Sequence, residues 1–172
     1  MLLNYREILP ADFDASSRVW IYQSNRPFTL SEAFQIENLL KTFVFSWNSH
    51  GAPVKGYGHL FFGQFVILMV DEKASQISGC STDSSVRLMK QIEIQFNVQL
   101  FDRQQIAFFI QDKVQLLPLS KLDLAAAQGL LNAETLYFNN TVLNKAELEM
   151  SWIIPVKESW LTTRISFPVE VR

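Results

Sequence analysis

The run Phe65-Val66-Ile67-Leu68-Met69-Val70 constrains this chain more than any other segment, because it offers no polar side to water. Alternate side chains of a strand point to opposite faces, so a strand of this composition must be covered on both sides and belongs inside a sheet. Lys55 to Phe62, just upstream, has the aromatic content of a second strand, and Gly63-Gln64 between them suits a two-residue type II′ turn with glycine at the position needing positive φ. The register that follows pairs Phe62 with Phe65, Leu60 with Ile67 and Gly58 with Met69 on one face. Phe61 then pairs with Val66, His59 with Leu68 and Tyr57 with Val70 on the other.

The neighbouring segments assemble around this hairpin. Residues 1–17 read as an irregular arm with turn formers at Pro10, Asp12, Asp14, Ser16 and Ser17, anchored by Ile8, Leu9 and Phe13. Arg18 to Gln23 reads as a strand. Thr29 or Ser31 caps a helix running to about Asn48, with Phe34, Ile36, Leu39, Leu40, Phe43, Val44 and Trp47 as its apolar stripe and His50 as a C-terminal cap. A second helix follows the Cys80 turn, carrying Val86, Met89, Ile92, Ile94 and Phe96 inward; strands are expected at Ile106 to Ile110 and Val114 to Leu117. The order strand, helix, strand, strand, helix, strand predicts an α+β fold with a ferredoxin-like split βαβ core. Such a sheet has one bare face. Residues Leu119 to Leu131, Thr135 to Phe138, Asn144 to Trp152 and the large groups Trp160, Ile165 and Phe167 are expected to cover it or to form an interface, a homodimer being one form. The whole is read as a single domain, 1–172, with arm 1–17, core 18–117 and C-terminal extension 118–172.

Composition narrows the function classes. Hydrophobic residues at 48%, with Gly and Pro at 6 each, exclude disordered and collagen-like chains. Fifteen Lys and Arg against 17 Asp and Glu, with no basic run, leave no electrostatic footprint for nucleic acid or an anionic membrane. No stretch is long and apolar enough for a membrane span or a secretory signal, so a soluble cytoplasmic protein is expected. One cysteine cannot form an internal disulfide, and with two distant histidines it makes a poor metal set; no metal and no cofactor are expected.

Three constellations are candidates for chemistry. The hydroxyl-rich turn Gln76 to Val86 holds Cys80 where a buried strand hands over to a helix, and a helix N-terminus favours a thiolate. Cys80 is thus a candidate nucleophile or redox thiol, with Asp83 or His59 as helper. The plainer reading makes Ser81, Thr82 and Asp83 N-cap residues over a packed cysteine. A cysteine phosphatase is rejected, since Arg87 stands one position too far from Cys80 to close the anion loop. Asp71 and Glu72 at the strand end and Asp83 at the helix start could bring carboxylates together near the turn as Mg²⁺ or acid–base groups, yet strand ends and caps are where solvated acids ordinarily sit, and the cap reading is favoured. His59 falls mid-strand between Tyr57 and Phe61, where it needs a partner; with Tyr22 and Gln23, and with Ser81 and Thr82 from the turn, it outlines a candidate ligand site. There is no phosphate loop: Gly51-Ala52-Pro53-Val54-Lys55-Gly56 continues as Tyr57-Gly58 and precedes a strand.

Arg18 to Arg26, Ile67 to Glu72, Ser78 to Val86, Leu100-Phe101-Asp102-Arg103 and Phe138-Asn139-Asn140 together resemble an uncharacterised family of Bacteroidetes proteins, over residues 18 to about 162. Members are often labelled ABC transporter ATPases. The residues here do not carry that label: the Walker A loop is missing and Ser78-Gly79-Cys80-Ser81 only loosely echoes a transporter signature loop. The resemblance implies a lineage and a cytoplasmic setting, without an activity. The leading expectation is a binding module for a small molecule or a protein partner; the alternatives are an enzyme centred on Cys80 and a homodimeric subunit.

Overall fold

Phe65–Val70 is a strand in which every residue is buried, and a strand paired on each side of it accounts for that burial. In this computed structural model, which describes residues 4–74 and 79–167, the chain is α+β and forms two compact units. The first is Met1–Phe101 with Asn140–Glu149, the second Asp102–Asn139 with Met150–Arg172. The first unit begins with α1 (Tyr5–Ile8), β1 (Arg18–Gln23), α2 (Leu30–Ser46), β2 (Asn48–Ser49) and β3 (Ala52–Pro53). It continues through β4 (Gly56–Phe61), β5 (Phe65–Val70) and α3 (Gly79–Phe96). The second holds β6 (Gln105–Ile110), β7 (Lys113–Pro118), α4 (Leu122–Ala127), β8 (Leu136–Phe138) and β9 (Ile153–Pro155), while α5 (Lys145–Ser151) starts in the segment that returns to the first unit.

The first sheet has the antiparallel order β1-β5-β4. Its hairpin register is one residue away from the expected one: Phe61 pairs with Phe65, Leu60 with Val66 and His59 with Ile67. The turn is the cause. Phe62 and Gly63 both take positive φ, 52° and 61°, and the Gln64 N–H closes on the Phe61 carbonyl at 3.0 Å. Gln64 is then an extra residue ahead of β5, held by Ser24, whose N–H donates to the Gln64 carbonyl at 2.8 Å and whose carbonyl accepts from the Gln64 amide at 3.0 Å. A slip of one exchanges the faces. Leu60, Val66, Leu68 and Val70 accordingly join Ile36, Leu40, Trp47, Met89 and Ile92 in the core under the two long helices.

Helix α2 starts as expected. The Thr29 hydroxyl accepts the Glu32 N–H, the Glu32 carboxylate accepts the Thr29 N–H at 2.8 Å, and this capping box fixes the first turn. Arg26 grips the same carboxylate with two nitrogens, each at 2.8 Å, and its guanidinium also reaches the Phe96 carbonyl at 2.6 Å. The helix then lies close over β4 because that strand carries glycines: a Cβ on Gly56 would stand 2.8 Å from the Trp47 ring, and one on Gly58 3.4 Å from Val44 and 3.5 Å from Leu40. Phe34 and Ile94, assigned to buried stripes, are exposed at 65% and 84%. Each lies two positions from a buried residue, Ile36 and Ile92, and residues two apart on a helix face away from each other. His50 caps no helix; with Gly51 it makes the positive-φ pair of the small β2–β3 turn, at 50° and 79°.

The opposite sheet face carries Tyr57, against which the N-terminal arm seats. The Phe13 ring meets Tyr57 edge-on at 6.4 Å, and the Tyr57 hydroxyl donates to the Ile8 carbonyl at 3.0 Å. Lys55 lies over the Phe13 ring at 4.7 Å and donates to the Asp12 carbonyl at 2.7 Å. The returning segment closes the arm from its far side. Buried Lys145 donates to the Phe13 carbonyl at 3.0 Å, the Tyr5 hydroxyl to the Leu148 carbonyl at 3.0 Å, and the Val19 N–H to the Leu143 carbonyl at 2.9 Å.

The second sheet has the order β7-β6-β8-β9. Here the structure corrects the expected ferredoxin-like sheet, whose last strand was to be β6. The positive-φ pair Gln111 and Asp112 folds β7 tightly back on β6, and β8 takes the other edge, so both sides of β6 are occupied. Trp160, Ile165 and Phe167, expected across the bare sheet face, belong to this second unit. Ile165 is in its core with Phe108, Leu122, Tyr137 and Leu161, Phe167 packs against that core, and the Trp160 indole donates to the Tyr137 hydroxyl at 3.0 Å. Among the described residues no helix is long and apolar enough to cross a membrane.

Candidate functional site

Tyr22, Gln23 and His59 do not converge. Consecutive residues of β1 face opposite ways: Tyr22 is on the helix-covered side, with its ring 5.5 Å from Phe101, whereas Gln23 is buried on the other side and accepts from the Asn140 amide at 2.9 Å. His59 shares the face of Gln23 but lies across β5, level with Ile21. Its partner comes from α2. Glu37 Oε1 sits 3.0 Å from His59 Nδ1 and accepts the Leu60 N–H at 2.7 Å. Burial pushes the Glu37 carboxyl up, but the bonds from His59 and Leu60 and the nearby His59 and Lys41 charges outweigh it, and the net shift is downward. Burial, with the Glu37 charge beside it, pushes the Tyr57 phenol up.

The hydroxyl-rich segment begins a helix earlier than its composition suggests. Helix α3 opens at Gly79, so Thr82 and Asp83 lie within it and are not N-caps. The Thr82 carbonyl accepts from the Ser85 hydroxyl at 2.7 Å, and Asp83 is exposed. The side chains of Cys80 and Ser81 lie outside the described residues, as do residues 75–78 of the preceding turn. Asp71, buried, accepts the Lys73 N–H at 3.1 Å and faces Lys55 at 3.3 Å, which makes it a turn tie, and Glu72 faces Arg18 at 3.8 Å in solvent. Among the described residues no His, Cys, Asp and Glu group is fit for a metal ion.

What the structure does bring together is an open groove of about 740 Å³ between α2 and α3. The helices run antiparallel, since Arg26 and Phe28 ahead of α2 both meet Phe96 at the end of α3. One wall carries Gln35, Asn38, Thr42 and Ser46; the other carries Ser84, Arg87, Gln91 and Gln95; Asn48 also lines the groove. Leu39, Phe43, Trp47 and Leu88 supply its apolar part, with the Phe43 and Trp47 ring centroids 4.7 Å apart. Among the described residues Arg87 is the single charged group in this lining, and it has no hydrogen-bond or ion-pair partner there. None of the polar lining residues had been singled out from the sequence, except Ser84 and Arg87 as parts of motifs. The signal was nonetheless present: both helices carry polar side chains, amides and hydroxyls with Arg87 among them on α3, at three- and four-residue steps beside the buried stripe. No protein-family model, curated protein or solved structure matches this chain.

Proposed function

We propose that the first unit is a binding module and that its site is the groove between α2 and α3. The composition of the lining among the described residues carries this reading: carboxamides and hydroxyls that both donate and accept, one guanidinium, an apolar base, and no carboxylate or imidazole. Such a surface recognises a neutral or anionic partner by hydrogen bonds, and it offers little for moving protons. The fold supports the placement. In order β1, α2, β4, β5 and α3 follow a ferredoxin-like split βαβ short of its last strand, and two helices side by side on one sheet face leave a furrow on their outer side. The proposal keeps the cytoplasmic setting and the lineage implied by the sequence resemblance, and it leaves out ATP hydrolysis.

The competing reading, an enzyme built on Cys80, needs a base beside the thiol. The described partner of His59 is Glu37, and Asp83 faces solvent, so the described geometry lends that reading nothing. The test is a heteronuclear NMR titration with millimolar acetate, N-methylacetamide and glycerol. Shifts gathered on the side-chain amides of Gln35, Asn38, Gln91 and Gln95 are expected. Shifts that gather around His59 instead, or nowhere, would sink the proposal.

A further inference from the structure

Taking the groove as the binding site, we infer that its occupant is an extended peptide segment, about five residues long, that places an acidic side chain against Arg87 and an apolar one on the base. Length is the first argument. The walls run from Gln35 to Ser46 along α2, which at 1.5 Å per residue is roughly 16 Å, the span of about five extended residues. The polar side chains on each wall, amides and hydroxyls with Arg87 among them on α3, recur every three or four residues, at about 5–6 Å, close to the roughly 6.6 Å between like-facing groups of a strand. A carboxamide presents the same donor and acceptor pair as a peptide group and can match it bond for bond.

Charge decides the class of side chain. Among the described residues the lining holds one cation and no anion, and Arg87 is exposed without a partner. A carboxylate suits that planar fork, whereas a cationic segment would find no counter-charge. Alternate residues of an extended chain point the same way, so an acid at Arg87 places the side chain two positions away toward Leu39, Phe43 and Leu88.

The rims favour a polypeptide over a compact solute. Phe34 and Phe45 are 65% and 94% exposed and stand four residues before and seven after Asn38, on its stripe of α2; Ile94, 84% exposed, stands seven residues after Arg87 on α3. A saccharide or free anion confined to the groove would leave all three in water. The intervening side chains of an extended peptide, pointing up and outward, would cover them.

The experiment uses the full chain and three pools of terminally blocked pentapeptides, with leucine fixed at the second position and glutamate, glutamine or lysine at the fourth, followed by NMR. The glutamate pool is expected to shift the groove amides at a concentration at least about tenfold lower than the other pools, in keeping with a charge-assisted contact. Arg87→Gln should erase that preference while leaving the thermal unfolding midpoint unchanged, and Phe34→Ser with Phe45→Ser should weaken all peptide binding. Equal response to the three pools would overturn the inference, as would a uronate disaccharide occupying the groove in place of any peptide, or self-association through these helices in sedimentation. If acetate and N-methylacetamide reach the groove while the pools are not told apart, the binding-site reading survives and the peptide does not. If no probe reaches it, both fall.

Discussion

Glu37 shows how much a single oxygen can decide at the scale of one residue. It satisfies the outward N–H of Leu60 on an edge strand and orients the His59 ring, so it closes an edge that would otherwise be open to another chain. Glu37→Leu leaves that N–H and the imidazole without their acceptor and is expected to cost about 1–3 kcal/mol in urea unfolding. Its pH signature has a definite sign. A carboxyl held below its ordinary value of 4.5 in the folded chain stabilises above that pH, and the contribution is lost as the solution is acidified through the folded value. The same holds for Glu32, lowered to about 2 by the Arg26 hydrogen bonds first and the Thr29 N–H next. Glu32→Gln should therefore flatten the fall of stability between about pH 4.5 and 2, as followed by circular dichroism at stepped pH. That His59 needs a partner was legible in the sequence. Which partner was not, because it depends on a one-residue slip in the hairpin and on how α2 lies beside β4.

Between elements, the seating of α2 on β4 depends on two absent side chains. Gly56→Ala drives a methyl to within 2.8 Å of Trp47, itself buried, and is expected to destabilise by about 1–3 kcal/mol. Gly79 is the contrast. A Cβ there meets nothing within 4 Å among the described residues, so Gly79→Ala in the first turn of α3 should stabilise by about 0.5–1 kcal/mol, read as a higher denaturant midpoint at unchanged slope. Helix α2 was readable from its sequence because Thr29 and Ser31, its two candidate caps, lie only two residues apart, and the structure chooses Thr29 through its capping box with Glu32. Helix α3 was not, because Ser81, Thr82 and Asp83 offer competing caps inside a helix that begins at Gly79. The groove escaped notice for a related reason: each wall is an ordinary polar helix surface, and only the pairing of two such surfaces makes a site.

For the whole molecule, the decisive fact is that the first unit is discontinuous. The strands of the first sheet were legible from their apolar pattern, but the destination of β6 was not, since an apolar strand can serve either sheet and a tight turn at Gln111-Asp112 settles the matter. A fragment ending at Phe101 lacks the acceptors of the Tyr5 hydroxyl and the Val19 N–H, and the Lys145 that ties down Phe13. It should bind a hydrophobic dye and melt without a sharp transition, whereas the same fragment with residues 140–149 joined by a flexible linker should recover a cooperative melt. The discontinuity also sets an order of events during synthesis. As the chain leaves the ribosome its first hundred residues emerge as an incomplete body, and the strip that fastens the N-terminal arm arrives only after β6, β7 and β8 have been made. Until then Tyr5 and Phe13 wait on a segment not yet translated, so a pause in elongation between residues 102 and 139 would lengthen the interval in which this protein is exposed to chaperones and proteases.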